Sequence, residues 1–310
     1  MDVPPLRLTN FSLTLPGPRP NLVRVLKGNL TSVAESDTAL IWRAPLPRSY
    51  VNFLGHKLLQ FLGTIQGLGA FLLITLAVIG THFRVARPVM RPLMLEHLAR
   101  SGLFLLPMAS FLALALGLIV IGQTVSQLSR FGVTQLLGTV MVSAIVRELG
   151  PLLAAGLVLC RAGAANVVEL GTARAQGEIE SLESMGIDPI HYLVVPRVVG
   201  MAVGMFSLTV YVIIGAILSG YLWAFMQDVP LTPGDYFRQL AEALNGLDFI
   251  LLGAKTFALG TTIAVITCYH GLAQPLALAG VSRATVRAVG QSLIACAIID
   301  AVFIVIYLVA

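Results

Sequence analysis

Long runs of apolar residues, separated by short polar connections, dominate the chain beyond its first hundred residues. An α-helix needs about 20 apolar residues to cross roughly 30 Å of hydrocarbon. Runs of this length predict five crossings, at about 102–124, 134–160, 198–226, 249–272 and 288–310. The second run is unusual, because Arg147 and Glu148 lie side by side near its middle.

The composition supports a membrane protein. Of 310 residues, 57% are hydrophobic and 11% are charged, with a mean hydropathy of +0.88, whereas a soluble domain is about 25% charged. We therefore predict an all-α integral membrane protein. The 3 cysteines lie within apolar runs and form no C-x-x-C pair, so neither a disulfide framework nor a metal site is predicted.

Basic residues predict the orientation, because Lys and Arg near span ends are retained in the cytoplasm. Residues 1–100 hold eleven of them and the 161–197 connection holds three, whereas Arg238 is alone in the 227–248 connection. The N-terminus is predicted in the cytoplasm and the C-terminus on the opposite side. Residues 1–52 lack the apolar core of a secretory signal and are predicted to form a polar, proline-rich cytoplasmic extension.

The apolar run at 58–81 has the length of a sixth crossing, but both its flanks are basic. It is preceded by Arg43, Arg48 and Lys57 and followed by Arg84, Arg87, Arg91 and Arg100. A simple crossing would leave one of these clusters outside. A helix in the inner interface, at about 54–82, is therefore favoured over a sixth crossing.

Four ionisable residues fall within the predicted crossings, namely Arg147, Glu148, Lys255 and Asp300. Such residues are costly in hydrocarbon, and they usually face a bundle interior or a wet cavity and have partners. With a rise of 1.5 Å per residue, Lys255, Asp300 and Glu148 lie about 9, 15 and 20 Å below the outer boundary. This common depth is compatible with a structural ion-pair network, or with a polar slot that receives a substrate head group.

Adjacent residues on an α-helix project about 100° apart, so Arg147 and Glu148 are not expected to face one cavity together. We expect Glu148 and Lys255 to face a cavity, and Arg147 to pair with Asp300 between helices. Pro151 follows closely and predicts a kink beside the charges, since proline removes a backbone hydrogen bond.

A polar segment at 165–189 predicts a short surface helix. Ile179, Leu182 and Met185 recur every three residues on one side of it, and Gly186 with Pro189 predicts its end. A helix lying flat on the bilayer is normally basic, whereas this one is acidic. Docking into a groove of a cytoplasmic partner is therefore favoured.

The motifs of several enzyme classes are missing from the sequence. None of the lysines follows a glycine, which excludes a P-loop, and neither H-E-x-x-H nor G-x-S-x-G occurs. The chain is not predicted to be an enzyme by itself. An ion- or proton-coupled secondary transporter and a non-transporting envelope scaffold stay open, although no inverted repeat supports the former.

An ordered series of motifs identifies a resemblance to a known family. The series runs through Arg147-Glu-Leu-Gly-Pro151, Arg161-Ala-Gly163, Glu169-Leu-Gly171, Glu178 to Gly186 with Asp188-Pro189, and Gly280-Val-Ser-Arg-Ala-Thr285. It resembles the MlaE family of ABC transporter permeases, the membrane subunits of MCE-type phospholipid transport systems, over roughly residues 53–310. The resemblance implies an N-terminal interfacial helix, five transmembrane helices, and a cytoplasmic coupling helix between the second and third.

The same resemblance implies partners for the chain. Two copies in the bacterial inner membrane would form a homodimer around a lipid-binding cavity, beneath a periplasmic MCE-domain protein. ATP and Mg would be held by a separate cytoplasmic ABC ATPase, so no cofactor is expected in this chain. A small STAS-domain protein is a further candidate partner, and no nucleic acid is expected.

Site residues also follow from the resemblance. The intramembrane charges match Arg147, Glu148, Lys255 and Asp300, and lipid contacts are implied for Glu148, Lys255, Leu149, Leu128 and Phe131. Coupling to the ATPase is implied for the segment 165–189, at Glu178, Ile179, Leu182, Glu183, Met185 and Asp188.

Overall fold

The computed structural model describes residues 63, 66–80, 87–131, 137–226, 232–272 and 278–309. The chain divides into two compact units, Met1–Gly63 and Thr64–Ala310, and the helices below belong to the second. They are α1 (Gln66–Gly80), α2 (Arg87–Ser101), α3 (Leu106–Phe131), α4 (Leu137–Ala175), α5 (Glu178–Ser184), α6 (Ile190–Met226), α7 (Pro233–Ala243), α8 (Gly246–Leu272) and α9 (Leu278–Val309). The predicted extension at 1–52 lies outside the described residues.

Within the described ranges, five helical stretches are long and apolar enough to cross a membrane. They are Met90–Thr124, Leu137–Ala175, Ile190–Met226, Gly246–Leu272 and Leu278–Val309. The predicted all-α class with five crossings is confirmed. The described part of helix α1 is an apolar stretch of 15 residues, Gln66–Gly80, and the interfacial position of this region stays a prediction.

The helices continue past the apolar runs that predicted them. A tight turn at Leu103–Leu105 joins α2 to α3, so the first crossing is preceded by a helix that the sequence did not predict. Helix α4 runs through the polar residues after position 160 and stops at Gly177, whose φ of 77° favours glycine. The predicted coupling segment is therefore divided between the end of α4 and the separate helix α5. Hydropathy missed both extensions, because packing against neighbouring helices stabilises these polar turns.

The two ends of the bundle can be distinguished by their contacts. Arg174 near the end of α4 contacts Leu272 at the end of α8, and Val167 packs with Ala284 near the start of α9. We call this end, which also carries α5, the coupling end. The opposite end, where α4 and α8 begin and α9 finishes, is the far end.

Small residues bring α3 and α6 close together. A Cβ atom added to Gly117 would overlap the carbonyl of Ala216 and the hydroxyl of Ser219, and one added to Gly220 would overlap Ile121. Without a hydrophobic driving force between helices in lipid, such close backbone approach provides the van der Waals contact that holds them together.

Gly200 and Gly204 of α6, four positions apart, have the same role against α2. Gly200 lies against His97, and Gly204 lies against Ser101. The Ser101 hydroxyl also donates to the carbonyl of Gly200 at 3.2 Å. The spacing therefore marks a real contact, and its partner is the helix that hydropathy did not detect.

Helix α7 lies in the connection between α6 and α8, which the sequence left as a loop. Thr232 caps it by accepting a hydrogen bond from the amide of Asp235 at 3.2 Å. Tyr236 is buried and donates to the carbonyl of Ile217 at 3.1 Å. Burial raises the pKa of the Tyr236 phenol, which therefore stays protonated as a donor.

We predict that Gly117→Ala destabilises the protein by about 1–3 kcal/mol, because the new methyl group forces α3 and α6 apart. Thermal unfolding in detergent would measure the loss. The matched control is Gly253→Ala in α8, where the nearest atom to an added Cβ lies at 4.0 Å. Equal melting temperatures for both variants would contradict the close packing of α3 on α6.

Candidate functional site

The charged centre of α4 is wound more widely than an α-helix. Residues Val142–Leu149 form π-helical turns, and the amide of Gly150 donates to the carbonyl of Ile145, five positions back. Pro151 follows and has no N–H, so the carbonyl of Arg147, its partner in an α-helix, is left for another donor. The irregularity predicted at Pro151 thus takes the form of a wide turn, a feature common at functional sites.

Lys255 of α8 supplies that donor. Its side chain is 0% exposed, and Nζ donates to the Arg147 carbonyl at 2.7 Å and to Glu148 Oε2 at 3.2 Å. Asp300 Oδ1 of α9 lies 2.6 Å from the same nitrogen, as an ion pair without hydrogen-bonding geometry. An ammonium group has three donors and no acceptor. Three oxygen atoms therefore compensate a charge that would otherwise be very costly in the bundle.

Arg147 makes a second set of contacts, nearer the far end. Its Nη2 donates to Asp248 Oδ2 at 3.2 Å, and its Nε lies 3.0 Å from Oδ1 as an ion pair without hydrogen-bonding geometry. Asp248 is buried and also accepts from the amide of Asn245 at 3.0 Å. The guanidinium carbon lies 5.2 Å from the centre of the Tyr307 ring, within cation–π range. Arg147 thereby ties α4 to the first turn of α8 and the last turns of α9.

These contacts correct the predicted pairing. Arg147 was expected to pair with Asp300, but its carboxylate partner is Asp248, and Asp300 pairs with Lys255. Lys255 was expected to face a cavity, but it is fully buried between helices. Depth follows from counting residues along a helix, whereas the direction of each side chain depends on helix rotation and on the wide turn. The sequence therefore predicted the common level of the charges but not their partners.

Asp248 and Tyr307 were missed as members of the cluster. Asp248 precedes Lys255 by seven positions and Tyr307 follows Asp300 by seven, which places each pair on one helix face. This spacing of seven residues is the feature of the sequence that could have identified both as members of the cluster. With Asp248 included, the cluster has three carboxylates and two cations, Arg147 and Lys255. Full ionisation therefore leaves one excess negative charge, whereas the four residues predicted from the sequence have no net charge.

An apolar cavity of about 450 Å³ lies beside this cluster. Helices α3, α4, α8 and α9 enclose it with Met108, Leu112, Leu152, Leu153, Ala155, Gly156, Leu157, Leu159, Cys160, Leu259, Leu293, Cys296, Ala297 and Asp300. Asp300 is the one charged residue in this lining. Along α9 the lining runs from Leu293 to Asp300, so the cavity reaches the ion cluster at Asp300, towards the far end. Its volume lies within the range of small-molecule sites.

The other predicted lipid contacts lie elsewhere on the chain. Leu128 lines a wider groove of about 830 Å³ with Gln127 and Trp223. Leu149 is exposed and does not line the apolar cavity, and the Phe131 side chain lies outside the described residues. The structure brings Glu148 and Lys255 together, and neither Leu128 nor Leu149 lines the apolar cavity. The lipid-binding roles stay predictions.

The predicted coupling residues differ in their solvent exposure. Ile179 is 2% exposed and belongs to the protein's own core, so it is not part of an exposed stripe, as had been expected. Met185 is 64% exposed, and Leu182 is half-buried. The acidic residues Glu178, Glu183 and Asp188 are exposed. Burial of Ile179 follows from α5 folding back on α4, and α5 ends before Gly186, with φ of 76°, as predicted.

Five long apolar helices around a mid-depth ion cluster and an apolar cavity define a multi-pass membrane protein of the permease type. Comparison with known proteins agrees, since residues 94–306 match the family described as Permease MlaE. The chain belongs to this family.

Two of the similar proteins carry the permease description, and a third, from a plant, has a different name. A probable ABC transporter permease protein of Rickettsia felis is 30% identical over 241 residues, which is 78% of this chain and 91% of the relative. One from Synechocystis sp. is 32% identical over 184 residues, covering 58% and 68% of the two chains. The chloroplastic protein TRIGALACTOSYLDIACYLGLYCEROL 1 of Arabidopsis thaliana is 28% identical over 211 residues, covering 66% and 59%.

We predict that Lys255→Met destabilises the protein by about 3–5 kcal/mol, because it leaves two carboxylates without their buried cation. Neutralising both, as Glu148→Gln and Asp300→Asn in the same variant, is expected to restore most of the melting temperature. The control is Arg238→Met, which removes a surface partner of Glu242. A Lys255→Met protein that melts like the wild type would contradict the role of the lysine.

Proposed function

We propose that this chain is the membrane permease subunit of an ATP-driven phospholipid transporter, which moves lipid between the inner membrane and a periplasmic MCE-domain protein. The observation that carries the proposal is the apolar cavity that ends at the ion cluster. A cavity with an apolar wall and a charged end suits an amphiphile. The acyl chain would lie against α4 between Leu152 and Cys160, and the head group would lie near Asp300 and Glu148.

The energy of lipid extraction supports an ATPase partner. Each buried CH₂ group stabilises an acyl chain in the bilayer by about 0.8 kcal/mol relative to water. Withdrawing a whole acyl chain therefore requires an external energy source, and the sequence has no P-loop motif. A separate cytoplasmic ATPase, as the ABC transporter permease names of the relatives imply, would supply it.

The coupling end is the proposed docking surface for that ATPase. Helix α5 and the following turn expose Glu178, Glu183, Met185 and Asp188 beside one another in the chain. An acidic surface with two exposed apolar side chains, Met185 and Ile187, suits a groove in a protein better than an anionic bilayer. This assignment places the coupling end and the N-terminus in the cytoplasm, and the far end and the C-terminus towards the periplasm.

A second copy of the chain is proposed to complete the lipid site. Only 17% of the most apolar window of α9 is buried, against 56% for α4 and 50% for α8. Helix α9 also lines the apolar cavity, so a homodimer joined along it would close the cavity from the outside. The name of the Arabidopsis relative, which is that of a diacylglycerol lipid, agrees with a lipid substrate.

We predict that Gly156→Phe lowers the amount of phospholipid that copurifies with the protein by about tenfold, because close-packed interiors leave no room for both ring and acyl chain. Gly156 lines the cavity, and an added Cβ would meet nothing within 4 Å, so folding is expected to survive. Quantitative mass spectrometry of bound lipids gives the measurement. Gly80→Phe, in α1 and outside both the cavity lining and the proposed dimer helix, is the control. Unchanged lipid in Gly156→Phe would contradict the assignment of the cavity.

We predict that Glu183→Lys weakens association with the ATPase subunit by at least about tenfold, because juxtaposed like charges at an interface cost several kcal/mol. Copurification of the ATPase and ATP turnover of the complex would be measured together. Glu242→Lys changes an exposed carboxylate outside the proposed coupling surface and is the control. If Glu183→Lys retains the ATPase as well as the control does, α5 is not the docking surface.

A further inference from the structure

The last turns of α4, Ala164–Ala175, carry the coupling helix. Only Gln176 and Gly177 separate this segment from α5. The buried side chain of Ile179 and the 4.0 Å pair between Arg174 and Glu180 also hold α5 to its surroundings. A displacement of α5 therefore passes first into Ala164–Ala175, and the contacts of this segment decide which spans follow.

Glu169 lies in the middle of that segment and contacts two arginines from two other helices. Its Oε1 accepts from Arg100 at the end of α2, and its Oε2 accepts from Arg197 of α6 at 3.3 Å. The Arg197 side chain is 10% exposed and also donates to the carbonyl of Leu193 at 2.8 Å. One carboxylate thus connects the beginnings of the first and third crossings to the end of the second.

Arg174 makes the corresponding connection to the fourth crossing. It donates to the carbonyl of Leu272 at 2.5 Å, at the end of α8. The last carbonyls of a helix have no partner within the helix, so an arginine there satisfies a group that needs a donor. Together, Glu169 and Arg174 join one short segment to the coupling-end termini of three neighbouring spans.

Resting on the proposed ATP-driven function, we propose that Glu169 is a positioning residue that transmits the displacement of α5 to the first and third crossings. The Glu169 carboxylate makes the helix ends of α2, α4 and α6 move as one body at the coupling end. Without its charge, α5 and the end of α4 shift while the other two spans stay in place. The cavity between the spans then does not change when ATP is hydrolysed.

The exposure of the contact separates its role in coupling from a role in folding. Glu169 and Arg100 have side chains that are 39% and 42% exposed, and partly exposed ion pairs add little to stability. Arg197 is 10% exposed and is the less solvated partner. A glutamine at position 169 keeps a side-chain oxygen that can accept from Arg197, so Glu169→Gln is expected to change coupling more than folding.

The test is Glu169→Gln in the complete complex of permease, ATPase and acceptor protein, reconstituted in phosphatidylethanolamine and phosphatidylglycerol vesicles. We expect ATP hydrolysis to persist while the phospholipid transferred per ATP hydrolysed falls by about tenfold, within the usual range of coupling between sites. Glu169→Asp keeps the charge and is expected to retain a larger share of transfer. Glu242→Gln removes an exposed carboxylate of a surface pair and is the control.

Three other outcomes would be decisive. A Glu169→Gln complex with the wild-type ratio of lipid to ATP would overturn the proposal. So would a parallel loss of hydrolysis and transfer that matches a lowered melting temperature, since that indicates a structural role alone. If the wild-type complex itself transfers no lipid on ATP addition, the proposed function fails, and this result is distinguishable because it does not depend on the variant.

Discussion

The arrangement of the bundle depends on how a fully buried ammonium group is compensated. Lys255 meets the carbonyl of Arg147, which Pro151 leaves without its helical partner, and two carboxylates from α4 and α9. A buried cation deprived of such partners would be strongly destabilising. The wide turn of α4 and the rotations of α8 and α9 are therefore linked, because a change in any of them separates the lysine from an oxygen atom.

The ion cluster and the contacts at the coupling end differ in their exposure to solvent. Lys255 is buried completely and lies between helices that small residues and close packing hold together. Glu169 and Arg100 are partly exposed, so their ion pair adds little to the free energy of unfolding. The apolar cavity lies between these two levels, enclosed by α3, α4, α8 and α9. Rearrangement at the coupling end can therefore alter the cavity while the charges near its far end stay paired.

Sequence reasoning succeeded where the signal follows from position along a helix. Apolar run lengths predicted five crossings, and residue counting placed Glu148, Lys255 and Asp300 at one level, where they are in contact. It failed where the rotation of a helix about its axis determines which side chains meet. The partner of Arg147 is Asp248, at a helix start that had been assigned to a loop. Ile179, which shares its spacing with exposed residues, is buried because α5 turns back on α4.

The amino-acid order alone was sufficient to predict the membrane class, the number of crossings, the depth of the charges and the family resemblance. These predictions rest on hydropathy, helical rise and motif order, which can be read along the chain without its three-dimensional structure. Which carboxylate meets which cation, the cavity beside Asp300, and the contacts of Glu169 with Arg100 and Arg197 emerged from folding. These features join residues more than twenty positions apart, so they depend on how separate helices rotate and pack against one another in three dimensions.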